Sequence, residues 1–429
     1  VSSAAEPRGR YRWLICLLLF LATTVNYFDR QILSLLKPIL DHELGWSNEE
    51  FGRVNAAFQL MYALGFLLFG VLVDRLGSKI GYALSIAAWS LAALSHSLAT
   101  SVSGFINARM ALGFGESGNF PSAIKAVALW FPKRERAFAT ALFNAGANVG
   151  AIVAPGVVPW LAYNWGWRSA FVAAGIAGLF WLGLWLPFYD TPERVKRITA
   201  SELELIRSDS ADTNVATPAR PSWAALLRER GAWAFIVAKF LTDPVWWFFL
   251  TWLPDYFKKT RGMDLKQSWM HLMSIYVIVT VLSIIGGWIP GQLVRRGQTV
   301  NRARKLSMLI FAILVVPVLG VTKVDAWPAV FLIGLAGAAH QAWSANLFTT
   351  VSDMFPKQAV ARVVGMGGTA GSIGGMLFPI YAGKLLDTFT RAHNVTAGYA
   401  ILFSICGSAY LVAFGLNHVL APRFERASV

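Results

Sequence analysis

The sequence predicts an all-α integral membrane protein whose twelve transmembrane helices form two pseudo-symmetric six-helix bundles. Three observations carry this reading. Long apolar runs recur along the whole chain, the connecting loops alternate between rich and poor in basic residues, and the second half repeats the plan of the first.

Of the 429 residues, 56% are hydrophobic and only 14% are charged, with 18 Trp and 29 Phe. A soluble chain carries about a quarter charged residues. Apolar runs at 13–36, 56–73, 83–99, 168–189, 268–294, 306–321 and 400–420 approach or exceed the roughly 20 residues that cross a bilayer. The first run follows Arg8, Arg10 and Arg12 but is too long for a signal-peptide core, and no small-residue cleavage site follows it before Asp29. Cys16 and Cys406 both fall in apolar runs, so no disulfide framework is expected.

The formal net charge of +15 raises the question of a nucleic-acid partner. Its distribution answers differently. Basic residues crowd the N-terminus, Arg75 to Lys79, Lys133 to Arg136, Arg194 to Arg197, Arg295 to Lys305, Lys357 to Arg362 and Arg423 to Arg426. The intervening loops, at Asp41 to Glu50, Ala99 to Gly104, Lys323 to Asp325 and Thr388 to Asn394, are poorer, with 255–266 a mixed exception. Such alternation sets topology and places both termini in the cytoplasm, as expected in a cytoplasmic (inner) membrane. No nucleic-acid partner is expected.

The spacing predicts helices over 13–38, 51–74, 79–99, 103–131, 136–161, 168–189, 233–257, 268–294, 304–323, 327–353, 360–386 and 396–420. The longest polar stretch separates the sixth from the seventh. The expected organisation is therefore a bundle over 1–189, a cytoplasmic linker over 190–231 and a second bundle over 232–429. Within the linker, Thr199 or Ser201 with Glu202 predicts a short capped helix.

The halves repeat. Phe131-Pro132-Lys133 recurs as Phe355-Pro356-Lys357, and at the same offset Gly150 meets Gly374 and Pro155 meets Pro379. The loop GVLVDRLGSK after the second span aligns with GWIPGQLVRR after the eighth. Parallel repeats of this kind are a transporter architecture.

Gly70, Asp74, Arg75, Gly77 and Lys79 resemble the loop motif G-x-x-x-D-R-x-G-R/K-R/K of the major facilitator superfamily, with Ser78 at a normally basic position. The second copy has Gly291 and Gln292 where Asp and Arg belong. NYFDR (26–30), GFGESGNFPSAIKAVALWFPKRER (113–136), LTDPVWWFFLTWLP (241–254) and HQAWSANLFTTVSDMFP (340–356) resemble the anion:cation symporter family, hexuronate transporters above all. The resemblance covers essentially the whole chain. It implies a site between the halves near the bilayer midplane, lined by the first, fourth, seventh and tenth spans, and Asp74-Arg75 as a conformational latch against the fourth-to-fifth loop.

Ionisable residues inside spans are functional candidates by default. Here they are Asp29 and Arg30, Arg109 and Glu116, Lys239 and Asp243, and His340. Lys239 and Asp243, four apart on one helix, are read as a pair that neutralises itself. Lys125 is read as an interfacial lysine reaching toward the headgroups. Asp29, Arg30, Arg109 and Glu116 sum to zero charge. Protonating either acid leaves a guanidinium ready to bind a carboxylate bidentately, so proton and anion favour each other's binding. The resemblance assigns proton coupling to Glu116 first and Asp29 second, and the substrate carboxylate to Arg30 with Arg109. Asn26 shares a helix face with Arg30 and is a further candidate contact; the resemblance implies others from Tyr27, Tyr62, His340, Trp343, Ser344 and Thr369. Ala147 stands where related sugar-acid carriers often have glutamine.

The expected function is proton-coupled import of a sugar acid, most readily galacturonate or glucuronate, by alternating access. Its partners are a small anion and the lipid bilayer, and it is expected to function as a monomer. Import of another organic anion such as an aldonate, anion exchange, and a membrane sensor that moves nothing are the competing readings. No cofactor beyond the coupling proton is expected, and no metal, since no ligand spacing appears. The glycine runs 146–150 and 365–375 lack the phosphate-loop pattern and read as helix-packing sites. No nucleophile–base constellation marks an enzyme.

Overall fold

The computed structural model describes residues 9–207 and 222–425; the side chains at 67, 74, 133, 134, 137, 357, 358 and 361 lie outside the description. All regular structure among the described residues is helical. In chain order the helices are α1 (Tyr11–Leu44), α2 (Asn48–His96), α3 (Val102–Glu116), α4 (Asn119–Trp130), α5 (Lys133–Trp165), α6 (Arg168–Phe188), α7 (Ala200–Arg207) and α8 (Trp223–Arg228). Then follow α9 (Arg230–Arg261), α10 (Leu265–Arg295), α11 (Val300–Val315) with a 3-10 extension (Val316–Lys323), α12 (Ala326–Met354), α13 (Lys357–Arg391) and α14 (Val395–Leu420).

Twelve crossings emerge once two features are read correctly. Gly77, at φ 79° and ψ 164°, divides α2 into the second and third spans, a backbone geometry that a side chain would oppose. The fourth span is broken at Ser117 and Gly118 into α3 and α4. Among the described residues, nine helices are long and apolar enough to cross a membrane by composition alone. Three crossings lie outside that nine: the third span after Gly77, the fourth because it is split, and α12, which carries His340, Gln341, Ser344 and Asn346 within its length. Large apolar side chains such as Ile284, Phe180 and Leu91 are 60–72% exposed, which a bilayer tolerates and water does not.

The chain divides into two compact units. One comprises Val1–Ile32, Met61–Ala154 and Leu161–Thr217; the other comprises Leu33–Leu60, Pro155–Trp160 and Pro218–Val429. The tip of the first helical hairpin, 33–60, thus packs with the later part of the chain.

The internal repeat is visible in backbone detail. Phe131 and Phe355 cap α4 and α12 in extended conformations, donating to Val127 O and Val351 O respectively. Pro132 and Pro356 start the next helices at φ −62° with ψ 151° and 152°. Gly150 lies against the carbonyl of Thr24, and Gly374 against the carbonyl of Phe240, with no room for a Cβ at either. Close backbone approach at small residues supplies the packing that lipid cannot drive.

The linker helix forms where expected, and Thr199 Oγ accepts from Glu202 N at 3.3 Å. The Glu202 carboxylate, however, turns away from its own helix. Fully buried, it accepts from Tyr11 N, Arg12 N and Arg12 Nη1, each at 3.0 Å. It caps the start of α1, whose first amide donors have no partner inside the helix. Arg12 Nε also donates to Glu135 Oε2 at 3.0 Å, tying in α5.

Candidate substrate and proton site

The first unit holds a buried charge cluster built from α1 and α3. Asp29, Arg30, Arg109 and Glu116 are between 0 and 8% exposed. Arg30 Nε donates to Glu116 Oε2 at 2.5 Å, and Arg109 Nη2 donates to the Arg30 carbonyl at 3.5 Å. The Arg30 guanidinium lies 4.9 Å from the Tyr27 ring and 4.7 Å from the Tyr62 ring, at cation–π distance from both. Neither carboxylate oxygen of Asp29 has a hydrogen-bond partner among the described residues.

Sequence around Glu116 explains how a charge reaches this depth. Gly115 packs against the backbone of Trp89, and Gly118 against Phe69 and Ser85, with no space for a Cβ. These contacts press the broken fourth span onto α2 and leave Glu116 as the last residue of α3. Arg30, Glu116, Arg109, Tyr27 and Tyr62 are thus brought together; Asn26, fully buried, lies one turn before Arg30 on α1.

The second unit holds another constellation. Lys239 Nζ and Asp243 Oδ2 are 2.8 Å apart, and α9 runs unbroken through Pro244. His340 stacks on Trp246 at 5.4 Å with 3° between planes, and its Nδ1 lies 2.5 Å from the Tyr410 hydroxyl. That hydroxyl donates to Thr242 O at 3.3 Å. Trp343 is fully buried and meets Tyr410 edge-on. Ser344 is half-buried and Thr369 exposed, with the Thr369 hydroxyl donating to Gly365 O.

At the loop motif, the Asp74 side chain lies outside those described, and Arg75 is exposed. Ser78 Oγ meets the Tyr189 hydroxyl at 2.5 Å, and Lys79 Nζ pairs with Asp190 Oδ2 at 3.0 Å. The motif is therefore tied to the segment after α6. Although partial burial works against it, the Lys79 ammonium holds the Asp190 carboxyl below its ordinary range. Lys125 does not reach outward as expected. Its Nζ donates to Val73 O at 2.8 Å, because an α2 carbonyl near the Gly77 break lies within reach.

The family model of the Major Facilitator Superfamily matches residues 19–379. The chain belongs to the major facilitator superfamily. The hexuronate transporter of Escherichia coli (strain K12) is 31% identical over 398 residues, covering 92% of this chain and 90% of that one. The galacturonate transporter of Dickeya chrysanthemi is 31% identical over 308 residues (71% and 89%), and a probable galactarate/D-glucarate transporter of Bacillus subtilis is 30% identical over 403 (90% and 88%). Among solved structures, a bacterial homolog of the human lysosomal transporter Spinster superposes with a TM-score of 0.76 at 16% identity, covering 99% of this chain and 100% of that one. The D-xylose-proton symporter gives 0.71 at 17%, covering 98% and 100%. These two speak for the fold alone.

This facilitator protein is accordingly a multi-pass membrane transporter related to carriers of sugar acids, and not an enzyme. Among its described residues, no group of three or more His, Cys, Asp or Glu is arranged to hold a metal. Sequence reading missed a second ionic cluster in this superfamily fold. Lys37, fully buried, donates to Asp41 Oδ2 (2.7 Å), Asn48 Oδ1 (3.0 Å) and Asp255 Oδ1 (2.9 Å). Tyr399 donates to Asp255 Oδ2 at 2.5 Å and Lys259 pairs with Oδ1 at 3.2 Å. The signal was present: a lysine directly before Pro38 in an apolar run, and an aspartate directly after Pro254.

Proposed function

We propose that the protein is a proton-coupled symporter of sugar monoacids, hexuronates such as galacturonate and glucuronate first. It would work as a monomer in the cytoplasmic membrane with both termini in the cytoplasm. The observation that carries this reading is the Arg30–Glu116 pair, a charge-assisted bond buried beside a carboxyl, Asp29, that has no donor of its own. A guanidinium already neutralised by Glu116 attracts an anion weakly. When Glu116 takes a proton, Arg30 is left with its fork of donors and without a counter-charge, and a substrate carboxylate replaces the one withdrawn. The two bound states therefore stabilise each other by the same factor in either order, which is the linkage a symporter needs. The rings of Tyr27 and Tyr62, at cation–π distance, stabilise the guanidinium while it exchanges partners. Asp29 is the second protonatable group.

The hexuronate and galacturonate relatives at 31% identity support the monoacid class. A D-galactonate transporter, 28% identical over 400 residues, favours aldonates as the second reading. The test is uptake of labelled galacturonate and glucuronate into proteoliposomes with and without an inward proton gradient. Glu116→Gln is expected to abolish gradient-driven accumulation while sparing counterflow exchange. Accumulation by the wild type that ignores the gradient sinks the coupling.

A further inference from the structure

Away from the buried charges, the second unit carries a polar cavity where α9 begins and α12 and α14 finish. It measures about 440 Å³ and is lined by Arg228, Glu229, Arg230, Arg423 and Glu425, together with Met354 and Phe355. Three arginines and two glutamates share this space, yet among the described residues no arginine of the three is paired with a carboxylate. Arg230 Nη2 donates instead to the Val419 carbonyl at 3.3 Å. The walls are fixed by hydrogen bonds of their own. Lys305 Nζ donates to Ala421 O at 2.5 Å, Phe424 N to Asn301 Oδ1 at 3.0 Å, and Asn417 Nδ2 to Ala234 O at 3.2 Å. The segment after α14 is thereby held against α11, and the end of α14 against α9.

The surface beside the cavity is apolar. Trp223 and Leu227 on α8, Trp233 on α9 and Val419 on α14 are between 44 and 63% exposed. Trp233 Nε1 donates to Leu227 O at 2.8 Å, and the Arg362 guanidinium lies 5.7 Å from the Trp223 ring, so both indoles are anchored. Exposed tryptophans next to arginines mark the level where lipid headgroups meet acyl chains.

We propose that this cavity binds an anionic phospholipid whose headgroup carries hydroxyls, as that of phosphatidylglycerol does. Arg228, Arg230 and Arg423 take the phosphate oxygens through their planar forks of donors. Glu229 and Glu425 accept from the headgroup hydroxyls. The five side chains together leave one positive charge in excess, and Lys305 adds another behind Ala421. A monoanion offsets that excess, whereas a zwitterionic headgroup offsets none of it. Trp223, Leu227 and Trp233 meet the upper part of the acyl chains. Basic pockets between helices at a membrane surface are a recurrent form of headgroup site.

This inference does not depend on which anion is transported, and it is tested on lipid binding itself. The delipidated full chain in neutral detergent is titrated with short-chain phosphatidylglycerol, phosphatidylethanolamine and phosphatidylcholine, and with glycerol phosphate and inorganic phosphate. Native mass spectrometry reads the bound fraction. Phosphatidylglycerol is expected to bind at least tenfold more tightly than either zwitterionic lipid and than either soluble phosphate. R228Q/R230Q/R423Q should lower its affinity at least tenfold, and R296Q/R302Q, outside the cavity, should stay within twofold of the wild type. Arg228→Gln alone removes no hydrogen bond found among the described residues and should still cost at least threefold. A folded triple variant or an Arg228→Gln protein within twofold of the wild type overturns the proposal. So does an equal loss in R296Q/R302Q, which would reduce the effect to bulk charge. A wild type that holds a zwitterionic lipid as tightly overturns the headgroup assignment, and one that holds a soluble phosphate as tightly overturns the lipid.

Discussion

Two buried charge clusters in this protein are built from the same kinds of residue and differ in how completely they are satisfied. Around Lys37 every ammonium proton has an acceptor, and both oxygens of Asp255 have donors. Around Arg30, a carboxylate one residue away has no donor for either oxygen. The desolvation of an ion pair is recovered only when geometry and additional hydrogen bonds are good. The Lys37 cluster meets that standard and so holds α1, α9 and α14 in one arrangement. At Asp29 the Arg30 cluster leaves carboxylate capacity unused, which is what the proposed exchange of a proton and an anion requires.

The sharpest way to break this contrast is to remove one member from each side. Lys37→Met takes one of two cations from buried Asp255 and removes the donor shared by Asp41 and Asn48, and is expected to lower stability by about 3 kcal/mol, the low end for breaking a buried ion pair. Thermal unfolding in detergent should show a large drop, partly recovered when Asp255→Asn is added; an unchanged midpoint would refute the fastening role. Arg30→Ala should weaken galacturonate binding by about 2–5 kcal/mol, the range for truncating one partner of a buried charged contact. Isothermal titration that finds native affinity would take Arg30 out of the site. Glu202→Ala removes the carboxylate cap on α1 and should lower stability by about 1–3 kcal/mol. Faster proteolysis near the start of α1 would report the same loss.

Asp190→Asn should have the smallest effect, below about 1 kcal/mol, because the Lys79 pair is partly exposed. Its pH dependence has a definite sign. The Asp190 carboxyl is depressed in the folded protein, so its contribution is present above the ordinary carboxyl range and disappears as pH falls through the depressed value. Wild type and variant should therefore converge in stability in strong acid. Divergence there would mean that Lys79 is not the partner that matters.

Much of the fold was legible because a bilayer permits few alternatives. Apolar length, loop charge and the Phe-Pro-Lys repeat lead directly to the crossings and to matching turns at Pro132 and Pro356. The break at Ser117 and Gly118 was not legible, since neither residue forbids a helix; it follows from the tight approach to Trp89 and Phe69. Within the site, Arg30 and Glu116 stood out as charges in apolar surroundings. Trp343, read as a contact from the resemblance, is fully buried. Which side of a helix faces a partner is a tertiary fact, and periodicity alone does not disclose it. The Lys37 cluster was hidden for the opposite reason, its members lying near the ends of predicted spans where charge is ordinary.

The carboxylate of Glu202 reaching back to the first turn of α1 bears on how the polypeptide tolerates being divided. Two co-expressed fragments meeting between 207 and 222 keep that cap with the helix it serves. Fragments meeting at 190 deprive the first piece of it, and such a piece should be the less durable of the two designs.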